Sequence, residues 1–394
     1  MRNILYLTFY YEPDLCAGSF RNTPLVKELA KQVGGSCRID VLTTVPNRYK
    51  SFTSEAPEEE QHGNLYIKRI KMPLHSSGFA DQINSFWKYF FAVRKFVAYK
   101  NYDMVVVSSS RLFTAYLGYT IAHKRQIPLY LDIRDIFVDT INDVIPNRLV
   151  KLLLMPILKF VEKRTFSFAT HINLISGGFR KYFEKYAQAK YSYFTNGIDE
   201  DFILDINDPD NFWQGDNNFR TITYAGNIGE GQGLHKIIPE LAKQLGDTYH
   251  VRIIGDGGAV RQLKVELEKY NLTNVSLEKP VKRKDLINIY RQSDFIFVHL
   301  NDYAAFEKVL PSKIFEAGAF PRPMLAGVSG YARSFIEKNV DNVILFTPGK
   351  PDELVAKLRS YQYHAGPRKS FIESFRRESI NKQMAFSILQ YLPL

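Results

Sequence analysis

Short apolar runs and helix-spaced apolar stripes alternate along the chain, and the alternation runs through twice. In the first half, residues 2–11 (RNILYLTFYY) read as a strand, Pro13 to Gly18 as a loop, and residues 20–33 (FRNTPLVKELAKQV) as a helix. Further strands are predicted at 37–45, 65–72, 102–110, 128–135 and 170–176. The second half starts over: strands at 220–228, 249–257, 275–280, 294–300 and 323–328 alternate with helices at 233–245, 259–270, 283–293 and 311–320. Near-continuous apolar strands separated by helices of roughly 10 to 15 residues call for parallel sheets covered on both faces. Residues 197–217 between the halves are rich in Asp, Asn and Gly and predict a linker. The expected fold class is therefore α/β, with two Rossmann-like doubly wound domains facing across a cleft. The first comprises residues 1–200 joined by the C-terminal helix 370–394, and the second residues 201–369. Ligands of such sheets bind beyond the carboxyl ends of the strands.

Composition narrows the class. The two cysteines, Cys16 and Cys37, are too few for a disulfide framework or a metal cage and fit a reducing compartment. The apolar stretches 103–123 and 149–161 are broken by Arg111, Lys151 and Lys159, so a spanning helix is not expected. The N-terminal apolar run ends in Glu12 and Asp14 without a cleavage-site pattern, which makes it a first strand and not a signal peptide. The expected location is the cytoplasm, peripheral on the inner face of the cell membrane.

Charge is uneven. The net charge is +11, yet residues 1–200 hold 27 Lys and Arg against 18 Asp and Glu, while residues 201–394 hold 25 against 23. A basic first half either faces something anionic or is a solvated basic face. Nucleic acid is not expected, because the excess is diffuse and no arginine-rich run is present. Within residues 86–100 (FWKYFFAVRKFVAYK), Phe86, Phe90, Val93 and Val97 share one helical face beside Lys88, Arg94, Lys95 and Lys100. That stripe reads either as core packing or as a helix lying on an anionic membrane surface.

The candidate chemistry sits at strand ends. Gly18 lies in the loop after the first strand, where a glycine lets backbone N–H groups approach a diphosphate, and Arg21 follows in the first helical turn. Arg134 and Asp135 close the strand at 128–135, either as a structural pair or with Asp135 placed to take a hydroxyl proton. In residues 224–238 (YAGNIGEGQGLHKII), Gly226, Asn227 and Gln232 form a strand–turn–helix corner, and Arg261 follows the GDGG at 255–258. Residues 306–327 (FEKVLPSKIFEAGAFPRPMLAG) carry Glu307, Lys308, Lys313 and Glu316. Ser176 follows the strand HINLI, and Asn196 to Asp199 (NGID) mark the junction between the halves. No metal-ligand, GxSxG or Walker pattern occurs, and the GDGG lacks full dinucleotide spacing, which leaves a nicotinamide site only as an alternative.

Over nearly the whole chain these segments resemble the retaining family 4 glycosyltransferases of the GT-B fold. Within that family they look most like enzymes that build bacterial surface polysaccharides, O-antigen or capsule, on lipid-linked acceptors. The resemblance implies a hexosyl- or N-acetylhexosaminyl-transferase. Its donor would be a UDP- or GDP-type nucleotide sugar, its acceptor a polyprenyl-diphosphate-linked glycan, and it would need no metal or other cofactor. It implies donor-binding roles for Gly18, Gly226, Asn227, Gln232, Lys313 and Glu316, with Glu316 on the ribose hydroxyls. Catalytic roles fall to Asp135, Glu307 and Lys313, and acceptor or phosphate contacts to Arg21, Arg134 and Arg261. The chain departs from the family in two places. Neutral Asn227 and Gln232 stand where an Arg and a Lys clamp the donor phosphates, which makes Lys313 the leading substitute cation. The first carboxylate of the Glu-x7-Glu motif falls at Glu307, one residue early, with Lys308 at the motif position. These departures keep alternatives open: a catalytically impaired membrane-associated or scaffold protein, or a nucleotide-sugar epimerase or phosphorylase.

Overall fold

The computed structural model describes residues 1–46, 55–72, 79–109, 111–145, 147–204 and 219–393, without the side chains of 79–83 and 143–144. Most of the stretch predicted as a linker at 197–217 lies outside the described residues. The chain divides into two compact units: Met1–Thr195 with Glu378–Leu394, and Asn196–Arg377.

In the first unit, strands β1 (Arg2–Thr8), β2 (Cys37–Thr44), β3 (Glu59–His62), β4 (Leu65–Ile70), β5 (Met104–Ser109), β6 (Leu129–Ile133), β7 (His171–Leu174) and β8 (Lys190–Ser192) form one sheet in the order β3-β4-β2-β1-β5-β6-β7-β8. Every pairing is parallel except β3 with β4. Ile4, Leu5, Tyr6 and Leu7 of β1 are all fully buried, because helices cover both sheet faces. The helix Arg377–Leu389 returns to this unit, and Met384, Ala385 and Ile388 complete a core with Ile4, Leu25 and Leu29.

The second unit holds β9 (Arg220–Asn227), β10 (Tyr249–Asp256), β11 (Val275–Glu278), β12 (Phe295–His299), β13 (Met324–Gly327) and β14 (Val343–Phe346), all parallel in the order β11-β10-β9-β12-β13-β14. Two apolar clusters, one on each face of the sheet, form its core. Both sheets reverse direction once, between β1 and β5 and between β9 and β12, and doubly wound sheets place their ligands at such switch points.

The helix predicted around 86–100 runs Phe79–Val97, and Phe86, Phe90, Val93 and Val97 on it are buried. The stripe therefore serves the unit's own core and not a membrane, since the helix packs this face inward. Trp87 and Phe91 stand out in solvent instead, stacked with centroids 5.7 Å apart. No helix among the described residues is long and apolar enough to cross a membrane.

Candidate functional site

At the second unit's switch point, Gly226, the next-to-last residue of β9, has φ +140°, a conformation L side chains avoid. A Cβ there would also run into the Lys313 ammonium. Lys313 opens the helix Lys313–Ala319, and its Nζ donates a hydrogen bond to the Ala225 carbonyl and lies 5.1 Å from the centre of the Tyr224 ring. One ammonium proton is thus used, and two donors remain. Burial pulls the Lys313 pKa below its ordinary value against the opposing pull of Glu316. Glu316, half-buried and three residues on along the same helix, shares that helical face. One cation and one carboxylate therefore flank the end of the central strand.

The turn after Gly226 is held by its own neutral side chains. Asn227 Nδ2 donates to Gln232 Oε1 at 2.7 Å, and the Gly229 N–H reaches the same oxygen at 3.2 Å. The Tyr224 hydroxyl donates to the Asn227 carbonyl at 2.6 Å. His299, at the end of β12, secures the turn from beneath. Its Nε2 accepts the Gly349 N–H at 3.0 Å, which leaves the proton on Nδ1 for the Gln232 carbonyl at 2.7 Å. Burial lowers the His299 pKa to about 4, so this neutral tautomer persists across physiological pH.

At the first unit's switch point, the Arg134 guanidinium rests against the start of the helix Ala17–Val33, where a Cβ on Gly18 would lie 2.8 Å from Arg134 Nη1. Gly18 therefore makes room for a cation. Arg134 Nε is buried and finds no hydrogen-bond partner. Arg111 lines the same pocket, donating to the Tyr10 hydroxyl at 3.1 Å and lying over the Phe9 ring at 4.4 Å. Asp135, the next residue, lines an adjoining pocket with Ile136, Phe137 and Phe166. Burial raises its pKa to about 6, although the Thr140 hydroxyl, 3.3 Å away, favours the charged form.

Three predicted site residues stand apart from these clusters. Arg21 is fully buried and bidentate to Asp132, Nε to Oδ2 and Nη2 to Oδ1, both at 2.8 Å. Its remaining donors reach the Thr195 and Phe194 carbonyls at 2.8 Å each. The phosphate or acceptor contact expected of Arg21 is therefore replaced by a structural role, since its Nε, Nη1 and Nη2 all donate inside the unit. Glu307 lies exposed on the short turn Ala304–Lys308, and Arg261 lies exposed on the helix Val260–Lys269. Among the described residues no hydrogen bond or ion pair ties either to Lys313 and Glu316. The described residues also contain no group of three or more His, Cys, Asp or Glu able to hold a metal ion.

Residues 207–377 match the family Glycosyl transferases group 1. Solved structures share the fold over nearly the whole chain. Sucrose-phosphate synthase from Thermosynechococcus elongatus is similar at a TM-score of 0.76 and 13% identity, covering 99% of each chain. Anabaena HepE, solved with UDP-glucose, is similar at 0.67 and 16% identity, covering 99% of this chain and 100% of that one. WaaG, a glycosyltransferase involved in lipopolysaccharide biosynthesis, is similar at 0.65 and 15% identity, covering 99% and 95%. The fold is GT-B. No curated protein sequence gives a significant match.

Within the segment that matches group 1 glycosyltransferases, sequence reasoning passed over His299, because its partners are backbone groups that no side-chain pattern announces. In the first unit it passed over Arg111 as a site residue, counting it only as a charge in an apolar run. Its place directly after a buried strand and before a helix was the available signal.

Proposed function

We propose that this protein is a glycosyltransferase that moves a sugar from a nucleoside-diphosphate sugar, of UDP or GDP type, to a lipid-linked glycan acceptor in surface-polysaccharide synthesis. The carrying observation is the Lys313 ammonium held over Gly226 with Glu316 on the same helical face, at the switch point of the unit that matches group 1 glycosyltransferases. In this reading Glu316 accepts the two ribose hydroxyls, a bidentate task suited to a carboxylate. Lys313 supplies positive charge to the departing diphosphate, and the start of the helix Leu234–Leu245 adds its dipole. That arrangement stands in for the basic clamp replaced by Asn227 and Gln232, whose mutual hydrogen bond instead fixes the shape of the turn.

On the first unit, Arg134 and Arg111 offer guanidinium charge to an anionic acceptor, and Asp135 orients the acceptor hydroxyl or takes its proton. Transfer with retention follows if the departing diphosphate draws off the acceptor proton on the face where the sugar leaves. The protein then contributes orientation and charge stabilisation, with no metal step. HepE, with UDP-glucose, and WaaG, from lipopolysaccharide biosynthesis, support the donor and acceptor classes.

The test is a thermal-shift series with UDP, GDP, CDP, dTDP, ADP and NAD, with EDTA present. One nucleoside diphosphate at about 100 times its dissociation constant adds roughly 2.7 kcal/mol, and Glu316→Ala abolishes that shift while keeping the ligand-free melting temperature. A chain that none of these ligands stabilises is not a nucleotide-sugar transferase. The neutral Asn227–Gln232 turn then marks an impaired scaffold of the same fold.

A further inference from the structure

The helix Arg148–Phe168 is built inside out for a helix on a water-facing surface. Leu158, Val161, Thr165 and Phe166 on one side are buried in the unit. On the opposite side Leu149, Leu152, Leu153, Ile157 and Phe160 are 73, 71, 73, 58 and 59% exposed. Leu149, Leu153, Ile157 and Phe160 recur every three to four residues, with Leu152 beside Leu153, and so form one continuous outward stripe. Single exposed apolar residues need no explanation, but five apolar side chains exposed on one face among the described residues do.

The exposed charges on the helix itself have one sign. Arg148, Lys159, Lys163 and Arg164 on the same helix are exposed. The helix's one acidic residue, Glu162, is buried and accepts from the Tyr182 and Tyr186 hydroxyls and, at 3.1 Å, from Lys185. Lys185 thereby brings the exposed Lys181, and Arg180 in its ion pair with exposed Glu184, to the same side of the unit. An apolar stripe with a predominantly cationic rim matches a bilayer interface with anionic headgroups, apolar side chains sinking among acyl chains and ammonium and guanidinium groups meeting phosphates. No helix among the described residues is long and apolar enough to span it.

We infer that the outward face of Arg148–Phe168 docks this protein onto an anionic lipid bilayer. The inference rests on the helix's geometry and gives the proposed lipid-linked acceptor a place to be met. Flotation of the full chain with phosphatidylcholine vesicles, with and without a one-third share of phosphatidylglycerol, tests it. Binding is expected only to the anionic vesicles and weakens as salt rises. Leu153→Glu with Phe160→Glu abolishes it, and Lys159→Glu with Lys163→Glu weakens it by at least about fivefold per residue. Both variants keep the wild-type circular dichroism and nucleotide-induced melting shift, so a failed docking surface and a failed transferase reading give different results. Three outcomes overturn the inference: no binding to anionic vesicles, undiminished binding by the Leu153/Phe160 variant, or a wild-type dimer in light scattering that this variant turns into a monomer. The last would assign the stripe to a second copy of the chain.

Discussion

Two aspartates three residues apart, at and just beyond the end of β6, show how environment assigns roles. Burial pushes Asp132 upward, but the Arg21 charge and hydrogen bonds from Arg21, Asn173 and Ser108 outweigh it and hold the carboxyl below its ordinary value. For Asp135 burial outweighs the Thr140 hydroxyl, the Ile136 N–H and the Arg134 charge, and lifts it from 3.8 to about 6. One carboxylate is a fixed structural charge, and the other is poised to exchange a proton. In the native state Asp135 holds its proton more tightly than in the unfolded chain. Its contribution to stability is therefore full below pH about 4, falls between 4 and 6, and above 6 becomes a cost of up to about 3 kcal/mol. Asp135→Asn keeps the neutral shape, so its melting temperature should exceed wild type at pH 8 and match it near pH 4. If Asp135 also handles the acceptor proton, wild-type transfer rises through pH about 6, and the variant loses both that limb and most of its rate. A variant no more stable than wild type at pH 8 would show that the carboxylate is solvated. The strand-end position of Asp135 is legible in the sequence. Its burial is not, because Phe166 and Glu162, about 30 residues further on, close the same pocket.

At the scale of elements, the turn after β9 depends on an absent side chain. Gly226→Ala must hold φ +140° with a Cβ and also displace the Lys313 ammonium from the Ala225 carbonyl. A cost of about 1–3 kcal/mol is expected from the backbone alone, together with weakened nucleoside-diphosphate binding. In a Lys313→Ala background the side-chain atoms that a Cβ at residue 226 would meet are gone, so the two substitutions should be coupled by at least about 0.5 kcal/mol in a thermal double-mutant cycle. Strict additivity would mean that the lysine does not occupy the space the glycine leaves. The central parallel strands were legible because burial on both faces writes them as unbroken apolar runs. Three strands were not. β3 reads EEQH, an antiparallel edge strand with polar exposed residues, and β8 is three residues long with no buried position. β14 pairs on the outer edge of the second sheet and alternates half-buried with buried residues over four positions, too few for a period to register. The stripe at 86–100 failed differently. Periodicity located its apolar face correctly, but an apolar face looks the same in sequence whether protein or lipid covers it. The helix Arg148–Phe168 differs because one apolar face packs inward and a second is left over.

At the scale of the whole molecule, the chain visits the first unit, passes to the second and returns through its last residues. Met384, Ala385 and Ile388 on the returning helix are 1, 0 and 0% exposed within the first unit's core. Removing Glu378–Leu394 would uncover those positions, and the lost burial of Met384 and Ile388 alone costs about 3–6 kcal/mol before any cavity term. That is comparable to the entire stability of an ordinary domain. The second unit keeps both of its apolar clusters, none of whose members lies beyond Phe375. Calorimetry of the intact chain should therefore resolve two transitions, with the nucleoside diphosphate raising only the one that belongs to Asn196–Arg377. The shortened chain should lose the first unit's transition and keep the second, still raised by ligand. If shortening instead abolishes both transitions, the two cores fold as one cooperative block and the donor site cannot form without the first unit. A ligand-raised transition that survives shows that the residues around Gly226, Lys313 and Glu316 need only their own sheet to assemble.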